Sequence, residues 1–294
     1  MTFPDDSHWK AVAWNGISLD YPADWDPIIS GETHILFEKD FNPVFELRWQ
    51  KQKNSGRVSL DTILSRITKE AGLPELTPIP IPWKRYTENF AIRLLGNHDN
   101  TTPEAAIFIC RECKTTLLFY FFNELIEKQK QIILQLLSSV SCHRDNDCHD
   151  ICWKIQDFQV LLPDTFEISG HNFGAGLTRL SFVHSGLTMH LCRMASASQR
   201  LKDSSLLNLM NLLGDIEVSQ AKSQLQENEV SHRSYPSLLQ QIRSRMKRKA
   251  PFHWVILRHH PELDRLSGLF FYDKKPIPET LVSVIENNYE ISPL

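Results

Sequence analysis

The sequence is poor in glycine, with 11 against 16 prolines in 294 residues. It has no Gly-X-Y period and no Gly/Ser tract, which excludes collagen-like and flexible-linker classes. It has no excess of positive charge: 32 Lys and Arg stand against 35 Asp and Glu, for a net charge of −3 and a pI near 6.5. The electrostatics of non-specific phosphate binding are therefore missing, and nucleic acid is disfavoured as a partner. Long apolar runs are missing as well. The longest, Thr115 to Asn123 (TTLLFYFFN), is about half of the roughly 20 residues that a spanning helix requires, so no membrane partner is expected. Met1-Thr2-Phe3-Pro4-Asp5-Asp6 has neither a positive nor an apolar leader region, and the expectation is a cytoplasmic protein.

Catalytic signatures are also absent. No G-x-S-x-G elbow, H-E-x-x-H, or H-x-E with P-C-x-x-C occurs, so common hydrolase, metalloprotease and deaminase mechanisms lack their parts. Gly170, Gly174 and Gly176 fit neither dinucleotide nor Walker spacing and read as a flexible loop. Asp145, Asp147 and Asp150 lack the glycine and terminal glutamate of a calcium loop and read as a solvated linker.

What the chain does have is 41% hydrophobic and 10% aromatic residues, enough bulky side chain to offset the entropy of ordering. At roughly 150 residues per domain its length is a prior for two domains, and the sequence runs twice through one pattern. WNGISLDYPADWD from Trp14 aligns with WKIQDFQVLLPDTFE from Trp153, Pro22 falling on Pro163 and Trp25 on Phe166. Ile17, Leu19 and Tyr21 then match Phe158, Val160 and Leu162 as alternating strand positions. Ile35 to Gln50 and Leu177 to Met194 read as hairpins, with turns at Asn42-Pro43 and His184-Ser185-Gly186.

Each half then offers a helix, one from Ser59 with Leu60, Ile63, Leu64 and Ile67, the other after Asp203 or Ser204 with Leu206, Leu207, Met210 and Leu213. Gly72 and Gly214 are expected to stop them. In the first half strands follow at Asn89–Leu95, Ala105–Cys110 and Thr115–Phe122, with the Pro-rich Ile79–Tyr86 as an edge strand. A helix carrying Leu125, Ile126, Ile132, Ile133, Leu136, Leu137 and Val140 closes that half. Leu266–Asp273 and the segment from Pro278 close the second, which has one extra helix, Ser234 to Ala250, with Leu238, Leu239, Ile242 and Met246 on its apolar side. The reading is α+β, two copies of an antiparallel sheet covered by helices, divided as residues 1–147 and 148–294.

Leu19-Asp20-Tyr21-Pro22-Ala23-Asp24-Trp25, and more faintly Val160 to Phe166, resemble the opening strand and turn of the Mog1/PsbP-like superfamily. That resemblance implies an α/β/α sandwich in each half and non-catalytic interaction surfaces. It carries no functional residue across.

Five of the six cysteines crowd the end of the first half: Cys110, Cys113, Cys142, Cys148 and Cys152, interleaved with His143 and His149. Cys110-Arg111-Glu112-Cys113 falls on a hairpin tip, where two thiolates can converge on one ion, and an antiparallel return brings Cys142 towards it. The expected site is a structural zinc held by Cys110, Cys113, Cys142 and a fourth ligand, Cys148 preferred over His143, His149 and Cys152. Plain buried thiols are the competing reading. A redox pair is disfavoured, because a strand follows Cys113 where a helix N-terminus would be needed. Cys192 reads as core.

The second half has Arg258, His259 and His260 near the place of Cys110 and no matching cysteine. Arg243, Arg245, Lys247, Arg248 and Lys249 form the strongest charge run, either a partner-binding surface or a solvated helix C-terminus. The functional reading is a non-enzymatic interaction or scaffold protein with a structural zinc and a protein partner. The alternative is a small-ligand receptor, or an enzyme acting on a phosphorylated substrate through Arg258, His259 and His260 at the interdomain surface.

Overall fold

The structure is a computed structural model that describes residues 9–51, 65, 69, 73–76, 79–96, 103–122, 127–143, 150–174, 176–220, 223–246 and 250–293. The chain divides into two compact units, Met1–Cys148 and His149–Leu294. It is an α+β protein of mostly antiparallel strands. Among the described residues no helix is long and apolar enough to cross a membrane.

The first unit opens with β1 (Trp9–Trp14) and β2 (Ile17–Pro22), paired antiparallel across Asn15-Gly16. Both turn residues have positive φ, 47° and 80°, the signature of a tight hairpin turn that follows the strand twist. Strands β3 (Asp26–Gly31), β4 (His34–Lys39), β5 (Asn42–Gln50), β6 (Glu75–Leu76), β7 (Phe90–Leu95), β8 (Ala105–Cys110) and β9 (Thr116–Phe121) form a seven-stranded sheet in the order β3-β4-β5-β9-β8-β7-β6. Helices α1 (Ile81–Lys84) and α2 (Glu127–Ser139) accompany it. Phe37, Phe45, Phe108 and Phe119 pack as a buried aromatic seam, with 5.0 Å between the rings of Phe108 and Phe119.

The second unit contains β10 (Asp150–Ile155), β11 (Phe158–Pro163), β12 (Glu167–Gly174), β13 (Leu177–His184), β14 (Leu187–Ala195), α3 (Ala197–Asp203), α4 (Leu206–Gly214), β15 (Gln224–Gln226) and β16 (Glu229–Arg233). Helix α5 (Leu238–Met246), β17 (Phe252–His260), β18 (Arg265–Asp273), α6 (Glu279–Asn287) and β19 (Tyr289–Ile291) complete it. Its large sheet runs β12-β13-β14-β18-β17-β16-β15, the order of the first unit strand for strand, and β19 pairs with β11. Leu209, Met210 and Leu213 of α4 pack on Val230, Val255, Leu257 and Phe270.

The proline-anchored turns match in detail. The Trp25 amide donates to Pro22 O at 3.0 Å and the Phe166 amide to Pro163 O at 3.0 Å, and both aromatic rings are buried.

Several expectations need correction. Ile79–Tyr86 is not an edge strand, since Ile81–Lys84 forms a helical turn with proline in its first positions, where a missing N–H costs nothing. Trp83 anchors that turn against Tyr86, Phe108 and Phe121. The β4–β5 turn falls on Asp40-Phe41, both at positive φ, and not on Asn42-Pro43. Pro43 sits inside β5 at a register shift opposite Phe37 and Glu38, where a strand tolerates a residue without a donor.

Asp215 in the left-handed conformation, rather than Gly214, caps α4, and Ser205 rather than Asp203 or Ser204 caps its start. Gly214 serves packing, because a Cβ there would meet Phe270 and Tyr272 Oη, each at 3.1 Å. Gly170 and Gly174 belong to β12 instead of a loop. The helix expected from Ser59 and its stop at Gly72 lie outside the described residues, apart from Ser65 and Lys69, both helical. Asp145 and Asp147 also lie outside them.

Candidate metal centre

Antiparallel pairing delivers the first two donors. Strand β8 ends at Cys110, whose amide donates to Thr115 O at 2.9 Å and closes the turn that carries Cys113, while the Arg111 amide donates to Asn89 O beside β7 at 2.9 Å. Lys114 completes it at φ 58°. The other two donors arrive through α2. Ile133, Leu136 and Leu137 bury one face of that helix, and Ser139 Oγ accepts from the Asp20 amide of β2 at 2.8 Å. Beyond the helix, Ser141 and Ser18 exchange amide hydrogen bonds of 2.8 and 2.9 Å. That bridge fixes where the next two residues, Cys142 and His143, emerge.

Cys110, Cys113, Cys142 and His143 place one donor atom each within 4.8 Å of all the others. Cys113 Sγ lies 3.4 Å from Cys142 Sγ, and His143 Nδ1 lies 3.3 Å from Cys142 Sγ and 3.6 Å from Cys110 Sγ. Tetrahedral donors at Zn–S of about 2.3 Å and Zn–N of about 2.0–2.1 Å stand about 3.5–3.8 Å apart, so the set is sized for such an ion. Glu112, inside the Cys-x-x-Cys turn, meets His143 Nε2 at 2.7 Å. A carboxylate on the far ring nitrogen fixes the tautomer and turns Nδ1 towards the sulfurs.

The electrostatics fit a cation. Burial opposes charge on Cys113, but the Thr115 hydroxyl and amide and the Cys142 and Cys110 thiols outweigh it and bring Cys113 down to about 7. Burial, then the neighbouring thiols, push Cys142 far above the ordinary thiol range. Burial lowers His143, but Cys113 and Glu112 overcome that and hold the imidazole above its usual value. A thiol lowered to about 7 beside an imidazole held up by it and a thiol pushed high is a site whose protons a divalent cation would displace.

No protein-family model and no curated protein matches the chain. Solved structures resemble it distantly. A crystal structure from Bacteroides thetaiotaomicron VPI-5482 matches at TM-score 0.29 and 9% identity, over 51% of this chain and 54% of that one, so the match spans about half of that neighbour's length. MucB in complex with MucA(peri) matches at TM-score 0.24 and 8% identity over 95% of this chain and 83% of that one. The MucA/MucB complex of Pseudomonas aeruginosa gives 0.24 and 8%, covering 97% and 87%. Likenesses this distant carry no residue and no role across.

Of the expected ligands, Cys110, Cys113 and Cys142 stand together with His143, whereas Cys148 and His149 lie outside the described residues. Cys152 pairs with Leu161 in the β10–β11 ladder of the second unit, and Cys192 is buried in β14. Glu112 was not anticipated, although a carboxylate inside a Cys-x-x-Cys turn is a readable signal. Arg243 is exposed on α5 and Arg245 lies on the same helix, while Lys247, Arg248 and Lys249 lie outside the described residues.

In the second unit Arg258 is held by Glu229 at 2.5 Å and Glu286 at 2.7 Å. His260 Nε2 meets Ser267 Oγ at 2.8 Å, and burial followed by the Arg258 charge lowers its pKa. The His259 amide donates to Asn228 O at 2.7 Å.

Proposed function

We propose that the chain is a non-enzymatic interaction or scaffold protein, built from two Mog1/PsbP-like α+β domains, with a structural zinc in the first. The closed donor set of Cys110, Cys113, Cys142 and His143 carries this reading. Four protein ligands leave no open position at which an ion could polarise water or substrate, so the metal would tie the β8–β9 turn to the segment after α2. The reading includes a cytoplasmic location, where reduced thiols are available for a metal. It also includes a contact surface at the basic run around α5.

The alternative, a receptor or enzyme handling a phosphorylated ligand, finds less support. Arg258 already balances two carboxylates and has little charge left to offer a phosphate. His260 is neutral and engaged with a serine hydroxyl.

The test is elemental analysis of protein purified without chelator, followed by thermal melting with and without a strong zinc chelator. One zinc per chain and a melting temperature lowered by about 10 °C or more on chelation are expected. A Cys142→Ser variant should purify without metal and melt as the chelated protein does. Metal-free native protein, or an unchanged melt, would defeat the zinc assignment.

A further inference from the structure

Helix α5 is mounted the wrong way round for a soluble domain. An amphipathic helix normally turns its apolar stripe to the core and its polar face to water. Here Leu238, Leu239, Ile242 and Met246 are 77%, 71%, 55% and 81% exposed. At about 100° per residue these four positions fall within one arc of the helix. Gln240 and Ser244, on the other side, line a groove of about 890 Å³ together with His232, His253 and Trp254. Gln241 donates to Pro236 O at 3.1 Å. The polar side thus faces the protein, and the oily side faces out.

The sequence around the helix is basic. No Asp or Glu occurs between Glu229 and Glu262, although the whole chain has a net charge of −3. The same interval contains Arg243, Arg245, Lys247, Arg248 and Lys249, besides Arg233 and Arg258, which are paired with Glu279 and with Glu229 and Glu286. Helical spacing puts Arg243 at one margin of the apolar arc, and in the sequence Lys247, Arg248 and Lys249 follow the helix, outside the described residues. Tyr235, itself exposed, stands just before the helix with the Arg233 guanidinium 5.4 Å from its ring centre.

We propose that α5 is an interfacial helix that docks the protein on an anionic lipid bilayer. Its apolar ridge enters the headgroup–acyl boundary while Arg243 at its margin meets lipid phosphates and the net positive charge of the interval adds attraction. This rests on reading the chain as an interaction protein and names the chemistry of the contact. From the sequence alone the run points to a protein partner and no membrane partner is expected, an expectation drawn from the lack of a spanning run. The outward-facing ridge changes that, because short helices with bare apolar faces and cationic margins lie in the membrane plane without crossing it. Clusters of four to eight Lys and Arg beside such a helix favour anionic lipid. An acid-free, net basic interval of sequence around an exposed apolar ridge complements a surface that is apolar below and negatively charged above, as an anionic bilayer is.

The test is co-sedimentation of the full chain with vesicles of phosphatidylcholine alone and of phosphatidylcholine mixed with phosphatidylglycerol. The protein should partition onto the phosphatidylglycerol vesicles, much less onto phosphatidylcholine, and should be released by salt. Leu239→Gln with Ile242→Gln should weaken partitioning at least about tenfold, and Arg243→Gln about fivefold. Because these side chains are exposed, the variants should keep the parent melting curve and metal content.

No partitioning, equal partitioning onto both vesicles, or binding indifferent to the substitutions would overturn the proposal. So would a dimer in sedimentation that the Leu239→Gln/Ile242→Gln variant abolishes, since the ridge would then be a self-association surface. A protein captured through these residues without vesicle binding would leave the interaction reading standing and remove the lipid. Loss of zinc binding alone would touch only the metal assignment.

Discussion

In the first unit Cys110 and Cys113 flank a turn that ends with Lys114 at φ 58°. In the second, His260 and Leu263 take the corresponding places and Asp264 ends the turn at φ 51°. Cys110 is tied to Thr115 across the first turn, and His260 is paired with Arg265 across the second. The strand that follows the last helix arrives in register too: Ser141 bridges Ser18, as Glu290 pairs with Gln159. Beyond those residues come Cys142-His143 in one unit and Ile291-Ser292 in the other.

The same corner therefore has two chemistries. Where the first unit gathers three thiols and an imidazole, the second buries Asp157, 2% exposed, between Arg193 and Arg265. Arg265 Nε donates to Asp157 Oδ2 at 2.6 Å, and the Ser292 amide donates to the Asp157 carbonyl at 2.8 Å. The comparison teaches that backbone pairing fixes the corner and that the side chains need only supply a self-consistent charge arrangement. A carboxylate between guanidiniums meets that condition, and a donor set of three sulfurs and an imidazole meets it when it closes on a cation.

The largest effect should come from breaking the ionic corner. Asp157→Ala leaves Arg193 buried without its carboxylate, which costs about 3–5 kcal/mol. Urea unfolding should show the loss, and hydrogen exchange should assign it to β10, β11 and β14 while the first unit is unaffected. A destabilisation below about 1 kcal/mol would mean that the ion cluster does not hold the corner. The pH dependence has a fixed sign. Arg193 and Arg265 outweigh burial and hold the Asp157 carboxyl below its ordinary value, so its contribution is present above the unfolded carboxylate range and lost as pH falls through the folded value.

A second difference lies in the half-buried histidines of the second unit. Burial, with Arg179 adding to it, lowers His190 to about 4, and burial with His232 lowers His253 to about 4. The unfolded chain takes up both protons near 6.5 while the folded chain refuses them until about 4. Stability must therefore fall as pH drops through that window, by about 1–2 kcal/mol for each histidine after allowance for partial exposure. Urea midpoints measured across the window should decline, and His253→Gln should remove about half of the slope. A flat profile would show that neither imidazole is held neutral.

How much of this could be read from residues alone depends on range. Alternation at Ile17, Leu19, Tyr21 and at Phe158, Val160, Leu162 announces β2 and β11, because period two is a local property of a half-buried strand. Cys110, Cys113 and Cys142 could be paired in thought, since a strand and a returning helix separate them. His143 could not be chosen over Cys148, because the choice depends on the Ser18–Ser141 bridge to a strand at the other end of the unit. Asp157 joins residues 36 and 108 positions away, beyond any local pattern. Periodicity found the apolar stripe of α5 but had no means of telling which way it faces. The prolines of Ile79–Tyr86 suggested an edge strand, and the burial of Trp83 decided for a helical turn.

The smallest expected effect is the most informative about the first corner. Glu112 touches the proposed site only through His143 Nε2, so Glu112→Gln keeps every ligand and the shape of the turn while weakening the grip on the imidazole. If a metal sits on Nδ1, zinc affinity measured against a competing chelator should fall about tenfold, the lower end for outer-shell carboxylates. The corresponding acid in the second unit is Glu262, beside a turn with no thiols, and Glu262→Gln should leave zinc affinity unchanged. Equal affinities for Glu112→Gln and the parent would mean that His143 is not a ligand and would return the fourth position to Cys148 or His149. A loss confined to Glu112→Gln would tie the metal to the first unit's corner.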